Sequence, residues 1–103
     1  MSTKKQLSAT EYLEKKYGRV TFGKSLWAWR KSDEFSQTAF AKKLGISVQN
    51  LNDLEKGRKI PSVARAAKIA RKLNELEIFW VSLAIRDQLY REGLKYKVHL
   101  ESA

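Results

Sequence analysis

No cysteine occurs anywhere in the 103 residues, which removes disulfide scaffolds, thiolate-bound zinc and thiol catalysis together. Histidine occurs once, at His99, so neither a multi-imidazole metal site nor most catalytic triads can be assembled, and His99 reads as an ordinary surface or interface residue. Proline also occurs once, at Pro61. No stretch approaches the roughly 18 consecutive apolar residues of a membrane span, and the opening Met1-Ser2-Thr3-Lys4-Lys5 has no apolar stretch behind it to form a secretory signal. Acidic residues are scarce, 11 against 21 Lys and Arg, for a net charge of +10. These deficits argue against an enzyme: no catalytic residue, metal or cofactor is expected, and no membrane partner. What is present, 43% apolar and 11% aromatic residues, suffices for one packed domain with a short arm at either end.

The basic excess is concentrated. Residues 1–35 carry eight basic and four acidic side chains, residues 36–72 nine and two, and residues 73–103 four and five. A strongly positive middle is suited to a polyanion, and the near-neutral, apolar-rich tail to protein. The plainer reading of the same charge is a solvated helical surface.

Residues 1–21 read as an N-terminal arm. Residues 1–7 are polar, and Ser8 is placed to cap a helix over Ala9 to Tyr17 ending at Gly18. Arg19 to Gly23 reads as a linker, followed by a helix over Lys24 to Lys31 with Leu26, Trp29 and Arg30 on one side. Ser36 caps a helix from Gln37 to Leu44, and Gly45 ends it by adopting the left-handed conformation. Ser47 caps the next, Val48 to Lys56, which stops at Gly57. Pro61-Ser62 starts another that reaches Leu73, and an apolar helix follows from about Leu76 to Glu92. Leu94 to Leu100 alternates apolar and polar residues, the pattern of a strand. The expected fold is therefore all-α: a compact helix-turn-helix bundle of about five to six helices with a short C-terminal β-strand. It divides into the arm (1–21), a central domain (22–73) and a segment of helix plus strand (74–103).

The informative stretch is Ser36 to Gly57. It describes two short helices around a glycine turn, with Ala41 small where the helices cross, and Ile46 and Leu51 placed to fix the crossing angle. That is the physics of a helix-turn-helix, whose second helix enters the DNA major groove. The stretch resembles the Cro/lambda-repressor (XRE-like) helix-turn-helix family over roughly Phe22 to Leu73. The resemblance rests on Leu26-x-x-Trp29-Arg30, Ser36-Gln37, Phe40-Ala41, Leu44-Gly45-Ile46-Ser47, Leu51, Leu54-Glu55-x-Gly57 and Pro61.

The resemblance implies roles for individual residues. Gln37, first in its helix, corresponds to a phosphate-contacting position. Val48, Gln49, Asn52 and Asp53 correspond to positions facing base edges; Gln49 can bond adenine through two hydrogen bonds and Val48 can pack on a thymine methyl. Asp53 departs from the pattern, since an acid near DNA must accept from cytosine or else turn outward and discriminate against wrong sequences. Ser47 and Asn50 either cap the helix or touch phosphate, and Arg58 and Lys59 correspond to backbone-clamping positions. Lys42 and Lys43 are basic but equally well explained by solvation. Arg30 and Glu55 correspond to a structural ion pair. Trp27 falls where the family places a polar residue; packing on Tyr12, Leu13 and Tyr17 is the preferred explanation, a protein-binding patch the other.

The last helix is too apolar to lie with one face on the domain and the other in water. Phe79, Trp80 and Leu83, with Tyr96 and Val98 of the strand, are therefore expected to form a homodimer interface. The implied function is a sequence-specific repressor of bacterial or phage origin. It would bind double-stranded DNA in the cytoplasm as a homodimer on a palindromic operator, with autoregulation possible. The alternative is an antitoxin whose main role is to bind and neutralise a toxin protein. RNA binding finds no stacking motif to support it.

Overall fold

The computed structural model describes residues 9–103, apart from the side chains of Ala9, Thr10 and Leu13; the expected polar start and the Ser8 cap lie outside the described residues. Among the described residues the chain is all-helical: α1 (Ala9–Tyr17), α2 (Phe22–Ser32), α3 (Gln37–Leu44), α4 (Val48–Glu55), α5 (Val63–Lys72) and α6 (Glu77–Arg91). No helix there is long and apolar enough to cross a membrane.

Local chemistry sets the boundaries. The hydroxyls of Ser36, Ser47 and Ser62 each accept the backbone N–H three residues on, satisfying donors at the starts of α3, α4 and α5 that would otherwise be unpaired. Gly45, at φ 72°, ends α3, and its N–H bonds the Lys42 carbonyl. Lys72 Nζ donates to the Leu44 carbonyl at 2.9 Å, so the tip of α3 is also capped from α5. Two non-glycine residues, Glu34 and Asn74, take left-handed φ just past the ends of α2 and α5.

The core joins one face of every helix from α2 to α6. Phe22 and Leu26 of α2, Phe40, Ala41 and Leu44 of α3, and Leu51 and Leu54 of α4 meet Ala66, Ile69 and Ala70 of α5 and Trp80, Leu83 and Ala84 of α6. Removing such side chains from water supplies most of the driving force for folding. The α5 contribution is small-residue: two alanines beside Ile69 let α6 lie close, and α5–α6 is the most extensive helix pair.

Three expectations are corrected. Helix α2 starts at Phe22 rather than Lys24, because Thr21 supplies an N-cap to Lys24 N–H and Gly23 lies inside the helix. A Cβ on Gly23 would collide with the Leu54 carbonyl oxygen, so the glycine marks the place where α2 crosses the end of α4. Second, residues 94–103 form no strand: an alternating segment becomes one only by pairing its backbone, and no strand lies beside it among the described residues. Third, Trp80 and Leu83, expected at a dimer interface, are 2% and 1% exposed within the chain's own core, leaving Phe79 outward at 47%. One α6 stripe, Trp80, Leu83, Ala84 and Asp87, faces inward at helical spacing, while Leu76, Ile78 and Phe79 line the exposed start of the helix.

Candidate nucleic-acid interface

Helix α4 carries no lysine or arginine and two acids, Asp53 and Glu55. Standing alone it would repel a phosphate backbone, so its surroundings decide what it can do. Both acids are neutralised from outside the helix.

Glu55 is held by Arg30 of α2. Nε donates to Oε2 at 2.6 Å and Nη2 to Oε1 at 3.0 Å, a two-pronged pair, and Nη1 donates to the Phe35 carbonyl at 3.0 Å. Both side chains are almost wholly withdrawn from solvent, at 10% and 3% exposure. In that environment the fork geometry satisfies two charges that would be costly apart. The Gln37 amide joins the same carboxylate, its Nε2 donating to Glu55 Oε1 at 3.0 Å and to Asn52 Oδ1 at 3.2 Å. The side chain expected to reach phosphate thus has both amide hydrogens turned inward onto α4. What α3 offers an anion at this end is its N-terminal backbone.

Asp53 is held from the following loop. It is 8% exposed. Its carboxylate accepts from Gln49 Nε2 at 3.1 Å and Arg58 Nη1 at 3.3 Å, with Lys59 Nζ 3.6 Å away. Its carbonyl accepts the backbone N–H groups of Arg58 and Lys59. Asp53, expected to face base edges, has its Oδ1 engaged within the chain by Gln49 and Arg58 and Lys59 beside its Oδ2, which offsets the repulsion it would otherwise cause.

The other expected residues fall as follows. Val48 and Gln49 are exposed on the first turn of α4, and Asn52 follows half-buried one turn on. Ser47 caps α4, while Asn50 Oδ1 accepts from Lys59 Nζ at 3.4 Å rather than capping. Arg58 and Lys59 remain more than half exposed despite their pairing. Lys24, Lys42, Lys43 and Lys56 are exposed as well. Trp27 is 49% exposed and lines an open groove with Lys24, Gln37, Asn52 and Lys56. Tyr12 and Tyr17, offered as its cover, are themselves exposed. No cluster of three or more His, Cys, Asp or Glu suited to a metal occurs among the described residues.

One polar residue went unread. Asp87, buried on α6, accepts the Phe22 N–H at 2.9 Å and pairs with Arg19 at 2.9 Å, capping α2 from across the fold. Its signal was present: an acid at position i+7 from Trp80 on the inward stripe of a helix is buried and needs a partner.

Two short helices crossing at a glycine turn, the second with polar side chains outward and its acids neutralised from behind, define a DNA-binding helix-turn-helix module. The helix-turn-helix family model matches residues 28–81, and the chain belongs to the XRE-like helix-turn-helix family of DNA-binding regulators. Over 53 residues it is 42% identical to the HTH-type transcriptional regulator YazB of Bacillus subtilis (strain 168), itself named as uncharacterized, covering 52% of this chain and 77% of that one.

Proposed function

We propose that the chain is a sequence-specific transcriptional repressor that binds a palindromic operator as a homodimer, with α4 in the major groove. The observation that carries this reading is the state of α4: Val48 and Gln49 are exposed on its first turn while both its acids are paired within the fold. Exposed Lys56, Arg58 and Lys59 flank the helix and suit the phosphates on either side of the groove. The similarity to a protein named as a transcriptional regulator supports regulation as the purpose of binding. A protein seated on an operator that overlaps a promoter represses by exclusion, and its own promoter is one such place.

A second copy is needed because one short helix reads few base pairs, and two half-sites at fixed spacing multiply the affinity. The exposed start of α6, with Leu76, Ile78 and Phe79, supports an interface there, and Tyr96 and Val98 of the tail can extend it. The half-exposed Trp27 favours a second reading, an antitoxin that covers a toxin through this groove; it predicts that Trp27→Ala weakens toxin neutralisation far more than operator binding.

The test is binding to duplexes selected from a random pool. Affinity should fall steeply and linearly on a log–log salt plot, and the selected duplex should be preferred over random DNA by about 10³ or more. A flat salt plot, or equal affinity for random duplex, contradicts the reading. In sedimentation at about tens of micromolar the chain should run as a dimer, and Phe79→Ser should yield monomer. A monomer at that concentration overturns the dimer.

A further inference from the structure

A side-chain amide presents two faces to DNA, and nothing intrinsic decides between them. Its nitrogen carries two donors and its oxygen accepts, so a half-turn exchanges one pattern for the other. A carboxylate, which can only accept, settles the matter for any amide bonded to it. In this protein two amides on α4 are tied, directly or through one intermediary, to such carboxylates. Gln49 Nε2 is bound by Asp53 Oδ1 at 3.1 Å. Asn52 Oδ1 receives one hydrogen of Gln37, whose other hydrogen is taken by Glu55 Oε1. Glu55 is in turn gripped by Arg30 through two hydrogen bonds, and Asp53, itself 8% exposed, has Arg58 and Lys59 at 3.3 and 3.6 Å.

We propose that Asp53 and Glu55 determine which base the recognition helix selects, by fixing the hydrogen-bonding faces of Gln49 and Asn52 without touching DNA themselves. This rests on the reading of α4 as the helix in the major groove. Gln49, with one hydrogen held by Asp53, retains one hydrogen and its carbonyl. That pair matches adenine, whose N6 donates and whose N7 accepts. Guanine presents N7 and O6, both acceptors, and a single amide satisfies both only with two free hydrogens. Gln49 therefore selects adenine over guanine. Asn52 is set the opposite way. Its oxygen is turned inward to Gln37 and both its hydrogens remain, which matches guanine. Asp53 and Glu55 are positioning residues: the contacts are made by the amides, and the carboxylates choose their faces.

Replacing Asp53 by asparagine keeps the volume and an acceptor for Arg58 but adds a donor, so Gln49 can meet it through either end. Replacing Gln37 by alanine releases Asn52 while leaving the Arg30–Glu55 pair in place. The experiment selects duplexes from a random pool with the intact chain and with Gln49→Ala, Asn52→Ala, Asp53→Asn and Gln37→Ala, and compares base frequencies position by position. The intact chain should prefer adenine over guanine by about tenfold or more at the position that Gln49→Ala relaxes. Asp53→Asn should reduce that ratio to within about threefold while the other positions stay unchanged. Gln37→Ala should relax guanine at the position governed by Asn52 and leave the Gln49 position alone. This second arm stands by itself should Asp53→Asn fail to fold. If Gln49→Ala relaxes a position whose adenine preference Asp53→Asn leaves intact, or if Gln37→Ala leaves the Asn52 position unaltered, the proposal is overturned. Should the intact chain enrich no sequence at all, the assignment of α4 to the major groove fails, and the proposal with it.

Discussion

The central helices and the N-terminal arm are held by different forces. From α2 to α6 the protein is fastened by apolar side chains meeting in one core, with the Arg30–Glu55 pair sealed at its edge. The arm packs only Val20 against that core among its described residues and is otherwise held by ion pairs and hydrogen bonds. Glu14 accepts the Val20 N–H at 3.0 Å and Arg86 at 2.6 Å, while Arg19 pairs with Asp87 and lies over the Tyr90 ring. A core of this kind is insensitive to salt and mild acid, whereas partly exposed ion pairs are not. The proposed recognition surface lies in the first region, so the frame that would present α4 to DNA should outlast the docking of α1.

The buried pair is the most costly contact to disturb. Arg30→Ala leaves the buried Glu55 carboxylate without its counter-charge, with only the Gln37 amide still donating to it, and should cost about 3–5 kcal/mol in urea denaturation. A loss near zero would mean that the pair does not seal the core. Next is the α2–α4 crossing. Gly23→Ala places a methyl group against the Leu54 carbonyl and about 3.0 Å from that of Glu55, and the helices must part. A cost of about 1–3 kcal/mol is expected for such overpacking, readable as a lowered thermal midpoint.

The smallest effect lies in the arm. Burial works to raise the Glu14 pKa, but the Val20 N–H, Arg86 and Arg19 outweigh it and hold the carboxyl below its ordinary value. A depressed folded pKa means that the contribution is complete above the unfolded value and is lost as pH falls through the lower, folded one. The α1 amide resonances of the intact chain should therefore shift toward an undocked helix in mild acid, while core resonances hold. Glu14→Gln should show that shift already at neutral pH, at a cost below about 1 kcal/mol. Simultaneous melting of α1 and the core would erase the distinction between the two regions.

Much of the frame was legible because it is written in short-range chemistry. A serine cap three residues before its partner N–H, or a glycine past the last apolar position, needs no knowledge of the rest of the chain; the end of α1 and both bounds of α3 follow from such signals. Where a residue answers to something distant, sequence reading gave way. Gly23 reads as a linker until α4 lies across it, and Leu94 to Leu100 reads as a strand although no partner strand is beside it among the described residues. Trp80 and Leu83 read as partner-facing because the helix is apolar nearly all round, and only packing against α5 shows which side is inward. At the candidate interface Gln49 and Asn52 could be placed on α4 from the sequence, but not the direction of their amides. That depends on Gln37, fifteen positions from Asn52, and on the loop cations that turn Asp53 inward.

In the proposed complex α4 meets the bases while its neighbours grip the backbone. The most direct test of this arrangement is an amide-by-amide NMR titration of the intact protein with a duplex selected from a random pool. The largest shifts are expected over residues 47–59 and at the start of α3, with side-chain amide shifts at Gln49 and Asn52 and little change at Leu76, Ile78 and Phe79 beyond any from dimerisation. Shifts centred on the start of α6 or on residues 94–103, with α4 unmoved, would contradict it.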